Sequence, residues 1–189
     1  MTAEKILDLL LQSNRLKVML RAGWMIRGIA HPESVAAHSY GVAFHCLILA
    51  QAVEQPLDRV KLLTIALLHD LPESHVTDIP HRAQRFISAQ AKRAGELQAL
   101  DEITNGLPAA DEYRELWLDF QDGRTPEGRL VRDADHLEFM LQAYVYERST
   151  SNRQLQEFWD NTDAIHFEYP ACRQVFAALR QRREKELSQ

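Results

Sequence analysis

The sequence predicts an all-α protein, a bundle of many helices in a single domain. Apolar residues recur at helical spacing through most of its 189 residues, and no segment alternates apolar and polar residues as a half-buried strand would. Only seven glycines and seven prolines are present, so long elements with short loops are expected. Hydrophobic residues account for 46% and charged residues for 26%, the usage of a globular protein with a sizeable core.

Ser34 marks the start of a long helix in the first half of the chain. An amphipathic helix near Ile6, a second element over 15–19 and a turn near Gly23 precede it. The Ser34 hydroxyl can accept a hydrogen bond from the first turn of a helix that runs from about 35 to 53. The residues of this helix that are expected to face the core include Val42, Leu47 and Ala50.

The next helix begins after Pro56, and the side chain of Asp58 can cap it. Its apolar run over 62–68 ends directly at His69 and Asp70. A loop with a proline near each end follows.

Helices are also expected over most of the second half of the chain. They cover about 83–104, 111–120 and 126–146, with one or two more beyond residue 152. Thr125 is followed by a proline and a glutamate, which is typical of a helix start. Pro170 lies near the start of the last helix, and the charged tail over 180–189 is expected to fray.

The net charge and the two cysteines exclude several classes of protein. A net charge of −5 argues against a general nucleic-acid-binding protein, which would carry a basic surface. Cys46 and Cys172 are too few for a disulfide scaffold, and Cys46 lies in an apolar helical run. No apolar run approaches the length of a membrane span and the N-terminus lacks a signal-peptide pattern, so we expect a cytoplasmic protein without membrane association.

His69 and Asp70 are the most informative pair in the sequence. A core position at the end of a buried helix should be apolar, because burying an unpaired ionisable group costs several kcal/mol or shifts its pKa. A helix C-terminus would favour a protonated His69, but it would disfavour Asp70. A divalent metal accepts one imidazole nitrogen and one carboxylate oxygen and so accounts for both residues.

His38 and Asp135 are the other two candidate ligands, each on a separate predicted helix. A single histidine such as His38 would ordinarily be a core or capping residue, and His45 on the same helical face is read as core. Asp135 could instead be an exposed acid paired with a nearby arginine, and Asp133 is a close competitor for the ligand role.

The order His, His-Asp, Asp and its flanking segments resemble the HD-domain metal-dependent phosphohydrolases, and more closely the compact bacterial 5′-deoxynucleotidases. The segments that carry the resemblance are 21–24, 32–39, 68–73, 78–80 and 132–135. The resemblance implies an HD-domain bundle over 1–189, with its core at about 15–147 and C-terminal helices over 153–187. It also implies that a divalent metal (Mn, Co, Fe, Ni or Zn, with Mg possible) is held by His38, His69, Asp70 and Asp135.

Glu73 and Asp78 lie in the loop after the His-Asp pair and could be ordinary loop acids. The resemblance places both near the metal. Glu73 is expected to act as the general acid or base, and Asp78 to orient a water or a substrate hydroxyl.

Arg21 and Trp24 are expected to bind substrate, although a surface arginine and a core tryptophan would explain them equally well. A guanidinium can grip a phosphate with two hydrogen bonds, and the indole could pack against a base or sugar. Arg82 and Arg85 are further candidates for phosphate, with a solvated helix face as their simpler explanation.

The sequence departs from the family pattern at three places. Ala37 and Tyr40-Gly41 stand where relatives often have glutamate and arginine, and Thr77 stands where they often have glycine. None of these changes removes a predicted metal ligand, but the first two alter the electrostatics of the pocket.

The predicted function is hydrolysis of a nucleoside 5′-monophosphate, preferably deoxy, to nucleoside and phosphate. The alternatives are a nucleoside triphosphate triphosphohydrolase and a non-enzymatic, metal-dependent nucleotide sensor. Glu73 and Asp78 argue against the sensor, which needs no acid or base beside its metal. The expected partner is a small nucleotide rather than a nucleic acid polymer, and the expected assembly is a homodimer or another homo-oligomer.

Overall fold

The architecture is helical throughout the residues that the computed structural model describes, which are 2–160, 162 and 165–187. The helices are α1 (Ala3–Asn14), α2 (Ala22–Met25), α3 (Val35–Leu49), α4 (Arg59–Leu68), α5 (Glu73–Val76), α6 (Ala89–Thr104), α7 (Ala110–Asp122), α8 (Pro126–Thr150), α9 (Gln156–Asp160) and α10 (Pro170–Leu187). Short 3₁₀ helices cover Arg15–Lys17, His81–Arg85 and Arg153–Leu155. Within these residues the backbone forms no strand, so the predicted all-α class is confirmed.

The predicted capping residues start their helices. Ser34 Oγ accepts a hydrogen bond from the Ala37 N–H at 3.2 Å, and Asp58 Oδ1 accepts one from the Val60 N–H at 2.9 Å. Thr125 caps α8, which continues four residues beyond the predicted end to Thr150. The long helix α3, by contrast, ends at Leu49 rather than near residue 53.

The core lies where α8 packs against α3, α4, α7 and α10. Val42 is fully buried there, but Leu47 is 41% exposed, so the prediction that Leu47 faces inward is wrong. Tyr40 and Phe44 are also exposed, because α3 is apolar on more than one side and only one of these sides packs against α4 and α8. Apolar spacing alone could not select the buried side.

The charged C-terminal segment is ordered as a helix to Leu187, so the prediction that the tail frays is wrong for these residues; positions 188 and 189 lie outside the described part. Arg183 binds both carboxylate oxygens of Glu147 at 2.6 and 2.7 Å. Its guanidinium also lies 4.5 Å from the ring centre of Trp159. These contacts anchor α10 on α8 and α9. In the described part of the chain, no helix has the length and apolarity needed to cross a membrane.

Candidate metal centre and catalytic cavity

His69 and Asp70 directly follow α4, and a buried side chain of α7 contacts the backbone there. The indole N–H of Trp117, which is fully buried on α7, donates a hydrogen bond to the His69 carbonyl at 3.1 Å. His69 is itself buried, and its Nδ1 lies 2.7 Å from the Ala66 carbonyl. Nε2 of His69 is therefore directed away from the helix and has no hydrogen-bond partner.

The four predicted metal ligands come together from α3, the end of α4 and α8. Nε2 of His38 lies 3.1 Å from Asp135 Oδ1 and 3.6 Å from Asp70 Oδ2. Nε2 of His69 lies 3.3 Å from the same Asp70 oxygen. One ligand atom from each of His38, His69 and Asp135 lies within 4.8 Å of the others. These separations are short enough for one ion to contact His38, His69 and Asp135, and Asp70 lies directly beside both histidine nitrogens.

The donor atoms fit a divalent cation. The buried Nε2 atoms of His38 and His69 both lack a hydrogen-bond partner, and a buried nitrogen without a partner is costly unless a ligand satisfies it. The opposite nitrogen of each ring is already engaged, which leaves both Nε2 lone pairs for a metal. Two nitrogen and two carboxylate donors form the mixed set that transition metals accept.

The electrostatics of the centre also favour a cation. Burial and Arg21 lower the pKa of His38, but the neighbouring carboxylates of Asp135 and Glu138 outweigh them and raise it to about 10. Burial raises the pKa of Asp135, yet His38 holds it below its usual range. Positive charge is thus stabilised at the point where the ligands meet, and metal binding there would displace a proton.

Asp133 and Asp135 have different roles in α8. Asp133 accepts hydrogen bonds from the backbone N–H groups of Glu168 at 3.0 Å and Tyr169 at 2.8 Å. Its carboxylate therefore fixes the chain ahead of α10 and is not directed at the metal centre. Asp135, rather than Asp133, is the aspartate that faces His38.

Glu138 was not singled out from the sequence, although it lies on the same helical face as Asp135. It is buried, and its Oε2 lies 2.5 Å from Nδ1 of His38. Gly41 makes room for it, because a Cβ at that position would lie 2.9 Å from both Cγ and Oε1 of Glu138. A carboxylate on the far side of a ligating histidine orients the ring and raises its basicity.

A cavity of about 640 Å³ opens beside the metal centre. Its acidic residues include Asp70, Glu73, Asp78 and Asp135, its cationic residues are Arg21, Arg27 and Lys92, and its aromatic wall is made by Trp24, Phe120, Phe139 and Phe158. Arg82 and Arg85 do not line this cavity and are exposed. Lys92 does line it and was missed, because its position on α6 gives no local signal of where it points.

Glu73 lies in an environment that favours its protonated form. It is only 4% exposed, and its Oε2 has no hydrogen-bond partner. Burial raises the pKa of Glu73 well above its ordinary value, and Asp70 and Asp78 raise it further against the opposing effect of Arg21 and Lys92. A glutamate in this environment keeps its proton at a pH where an exposed glutamate has lost it.

Asp78 connects the loop after α5 to the short helix α2. Its Oδ2 accepts a hydrogen bond from the Ala22 N–H at 2.6 Å. Nη1 of the neighbouring Arg21 lies 3.4 Å from Asp70 Oδ2, so its guanidinium reaches the metal centre. Thr77, just before Asp78, adopts φ 66° and ψ 164°, a conformation that a β-branched residue rarely accepts and that costs about 1–3 kcal/mol.

Trp24 belongs to an aromatic cluster that forms one side of the cavity. Its ring stacks on Phe139 at 4.8 Å and meets the edges of Tyr146 and Phe158. Its N–H donates to Glu33 Oε1 at 3.0 Å, and the residue is only 1% exposed. Trp24 therefore shapes this wall while offering little surface of its own.

The HD domain family matches residues 13–172, which include all four converging ligands. The chain belongs to the HD-domain family. This membership confirms the resemblance drawn from the sequence and the expectation of a metal-dependent phosphohydrolase, an enzyme that uses a divalent metal.

Curated relatives of this HD-domain chain are named 5′-deoxynucleotidases. The 5′-deoxynucleotidase HDDC2 of Dictyostelium discoideum is 37% identical over 160 residues, covering 78% of this chain and 83% of the relative. The human 5′-deoxynucleotidase HDDC2 is 30% identical over 189 residues, covering 98% and 90%. Among solved structures, a conserved hypothetical protein from Pyrococcus furiosus has a TM-score of 0.79 at 37% identity, covering 93% of this chain and 99% of that one.

Proposed function

We propose that this protein hydrolyses the phosphate ester of nucleoside 5′-monophosphates, with a preference for the deoxy form. The observation that carries the proposal is the meeting of two unpartnered histidine nitrogens and two aspartates beside a buried, proton-holding Glu73. The 5′-deoxynucleotidases among the relatives support the nucleotide as substrate.

In this proposal His38, His69, Asp70 and Asp135 hold the divalent metal. Such an ion lowers the pKa of a water and polarises a phosphoryl oxygen. Nitrogen and oxygen donors together favour Mn, Co, Fe, Ni or Zn, and Mg also accepts the carboxylates.

Arg21 and Glu73 then have separate roles: one binds the phosphate and the other supplies a proton. The guanidinium of Arg21, next to Asp70, is placed to bind the phosphate beside the metal centre. While a water oxygen bonds to phosphorus and the bond between phosphorus and the 5′-oxygen breaks, Glu73 can deliver a proton to that oxygen, because burial raises its pKa and favours the protonated form. Asp78 keeps the α2 segment that carries Arg21 in position, and it lines the cavity where it can orient a water or a substrate hydroxyl.

The cavity is suited to a nucleotide in size and in the distribution of polar groups. About 640 Å³ lies within the range of small-molecule sites. Asp70, Asp135 and Arg21 lie at the metal end, and Phe139 and Phe158 offer an aromatic wall to the nucleoside. Trp24 backs this wall and lines the cavity beside them.

The two alternative functions receive less support from the geometry. A triphosphohydrolase needs further cations along a chain of phosphates, but Arg82 and Arg85, which were expected to supply them, lie exposed outside the cavity lining, and Arg27 is paired with Glu157. A sensor needs no acid beside its metal, yet Glu73 is buried, and burial together with Asp70 and Asp78 raises its pKa well above the ordinary value.

The test is a screen of nucleoside mono- and triphosphates with Mn²⁺, Co²⁺, Fe²⁺, Ni²⁺, Zn²⁺ or Mg²⁺, in which the products are resolved. The expected result is nucleoside and inorganic phosphate from deoxynucleoside monophosphates, lost on treatment with a chelator and restored by metal. Release of triphosphate, or nucleotide binding without turnover, would contradict the proposal.

Three features remain predictions alongside the activity: one domain over the whole chain, a homodimer or other homo-oligomer, and a cytoplasmic location. Light scattering of the purified protein tests the assembly, and a monomeric mass at micromolar concentration would contradict it.

A further inference from the structure

Lys92 is a cation of the cavity with no assigned role. It lies one turn into α6, and its Nζ contacts Oε1 of Glu96, one turn further along the same helix. The side chains of Lys92 and Glu96 are only 23% and 7% exposed. An ordinary pair at this spacing lies on the solvent-exposed side of a helix and contributes a few tenths of a kcal/mol. This pair is instead turned toward the cavity, with Glu96 buried beneath it.

Lys92 and Arg21 face the same carboxylates from different elements. Arg21 is attracted to Asp70 and Glu73 from the α2 side, and Lys92 is attracted to both from the α6 side. Glu73 in turn is influenced by both cations. The two positive side chains therefore line the same cavity as these carboxylates and both act on them.

The third cation of the cavity is engaged elsewhere. Arg27 pairs with Glu157 at 3.0 Å, donates to the Gly23 carbonyl at 3.2 Å and lies 4.0 Å above the Phe158 ring. These contacts hold it against the aromatic side of the cavity, whereas Lys92 lies near the carboxylates.

The charge balance of the cavity calls for a second cation near the metal centre. Asp70, Asp78 and Asp135 line it as carboxylates, and Arg21 is already close to Asp70. A phosphate dianion that enters this space meets like charge unless cations compensate it. An ammonium group provides a compact point charge with three donors, which suits a phosphoryl oxygen.

We propose that Lys92, held in place by Glu96, is a second phosphate-binding residue that contacts the phosphoryl group together with Arg21. The proposal rests on the proposed function for the identity of the phosphate ester, but phosphate binding itself can be measured without turnover. Glu96 has a positioning role, because it keeps the flexible lysine side chain directed into the cavity.

The experiment titrates inorganic phosphate into the Mn²⁺-loaded protein by calorimetry and compares the wild type with four variants. Lys92→Gln removes the charge and keeps a donor for Glu96, and Lys92→Arg keeps the charge. Glu96→Gln tests positioning, and Lys17→Met, an exposed lysine outside the cavity, is the control. Metal content and the circular dichroism spectrum are measured for each variant.

Lys92→Gln should weaken phosphate binding about 10- to 100-fold, the effect of losing one hydrogen bond to a charged group. Lys92→Arg should recover most of the affinity, Glu96→Gln should lie between them, and Lys17→Met should match the wild type. Metal content should stay constant throughout. If Lys92→Gln does not fold, the double variant Lys92→Met/Glu96→Gln, which removes both charges together, replaces it.

A phosphate Kd within twofold of wild type in a folded, metal-loaded Lys92→Gln would overturn the proposal, and so would a wild type that binds no phosphate. Steady-state kinetics separate this result from the proposed function. A wild type that binds phosphate through Lys92 but hydrolyses no nucleotide would contradict the activity and leave the phosphate site standing.

Discussion

Oε2 of Glu138 lies 2.5 Å from Nδ1 of His38, and both side chains are buried. The carboxylate fixes the imidazole so that Nε2 faces Asp70 and Asp135, and without it the ring could rotate about its Cβ–Cγ bond. The metal centre therefore depends on a residue that does not itself meet the ion.

Replacing Glu138 with glutamine should weaken metal affinity about 10- to 100-fold, since the glutamine amide has no charge to raise the basicity of His38. Competition between the protein and a chelating dye for Mn²⁺ or Zn²⁺ measures the change. Glu54→Gln, at an exposed position, is the control. Equal affinities for the two variants would show that Glu138 only fills space.

Gly41→Ala should have a similar effect on metal affinity without altering any polar group. The added Cβ would lie 2.9 Å from Cγ and Oε1 of Glu138, so the carboxylate must move away from His38. Gly95→Ala on α6 is a matched control, because nothing lies within 4 Å of its new Cβ. That control should keep wild-type metal affinity and gain about 0.5–1 kcal/mol in its free energy of unfolding. Unchanged metal affinity in Gly41→Ala would mean that Glu138 can relax without cost.

His69→Ala and Asp70→Ala should each abolish both metal binding and activity. The helices around them stay in place, because Trp117 holds the His69 backbone carbonyl rather than the side chain. Elemental analysis after gel filtration, together with the helical circular dichroism signal, measures both effects. Full metal occupancy in purified Asp70→Ala would refute its assignment as a ligand.

Glu73→Gln should retain metal and nucleotide binding while kcat falls about 10²- to 10⁴-fold, the usual contribution of general acid–base catalysis. The pKa of Glu73 is raised, so as an acid it is active below that pKa and loses its proton as the pH rises through it. The wild-type rate should therefore fall on the alkaline side, and the variant should lack this dependence. An unchanged kcat with a higher KM would instead make Glu73 a substrate contact and favour Asp78 as the acid.

Arg21→Ala should lower kcat/KM by an amount equal to about 1.5–3 kcal/mol of transition-state binding, the range for a hydrogen bond to a charged group. The double variant Arg82→Ala/Arg85→Ala should change kcat/KM for a monophosphate little, because both side chains lie outside the cavity lining. A large loss in the double variant, with triphosphate as the released product, would favour the triphosphohydrolase.

The His69-Asp70 pair was visible from residue type and position, whereas His38 and Asp135 were added by the resemblance to the HD-domain family; the structure brings all four side chains together. An ionisable pair at a buried helix end is costly unless it binds a ligand, so such a pair can be recognised from the sequence alone. Helix starts at Ser34, Asp58 and Thr125 were predictable for a similar reason, because a capping hydroxyl or carboxylate acts within one turn.

Features that depend on the rotation of one helix against another could not be predicted. Lys92 differs in no local way from exposed residues of a charged helix, and only packing turns it toward the cavity. Glu138 shares a helical face with Asp135, but that face alone does not show that its carboxylate meets His38. Leu47 is exposed because α3 is apolar on several sides, so its spacing does not define a unique buried face. The tail is ordered because Arg183 meets Glu147, which is distant in sequence.

Helix α8 carries Asp135 toward the metal centre and, two residues earlier, carries Asp133 against the backbone of Glu168 and Tyr169. Phe158 and Ile165, on the stretch of chain that leads to this anchor, line the cavity away from the ligands. One aspartate therefore ties the segment that carries Phe158 and Ile165 to the helix that carries Asp135. Replacing residues 153–167 with those of a relative should change the base preference of the enzyme and leave phosphate-ester hydrolysis unchanged.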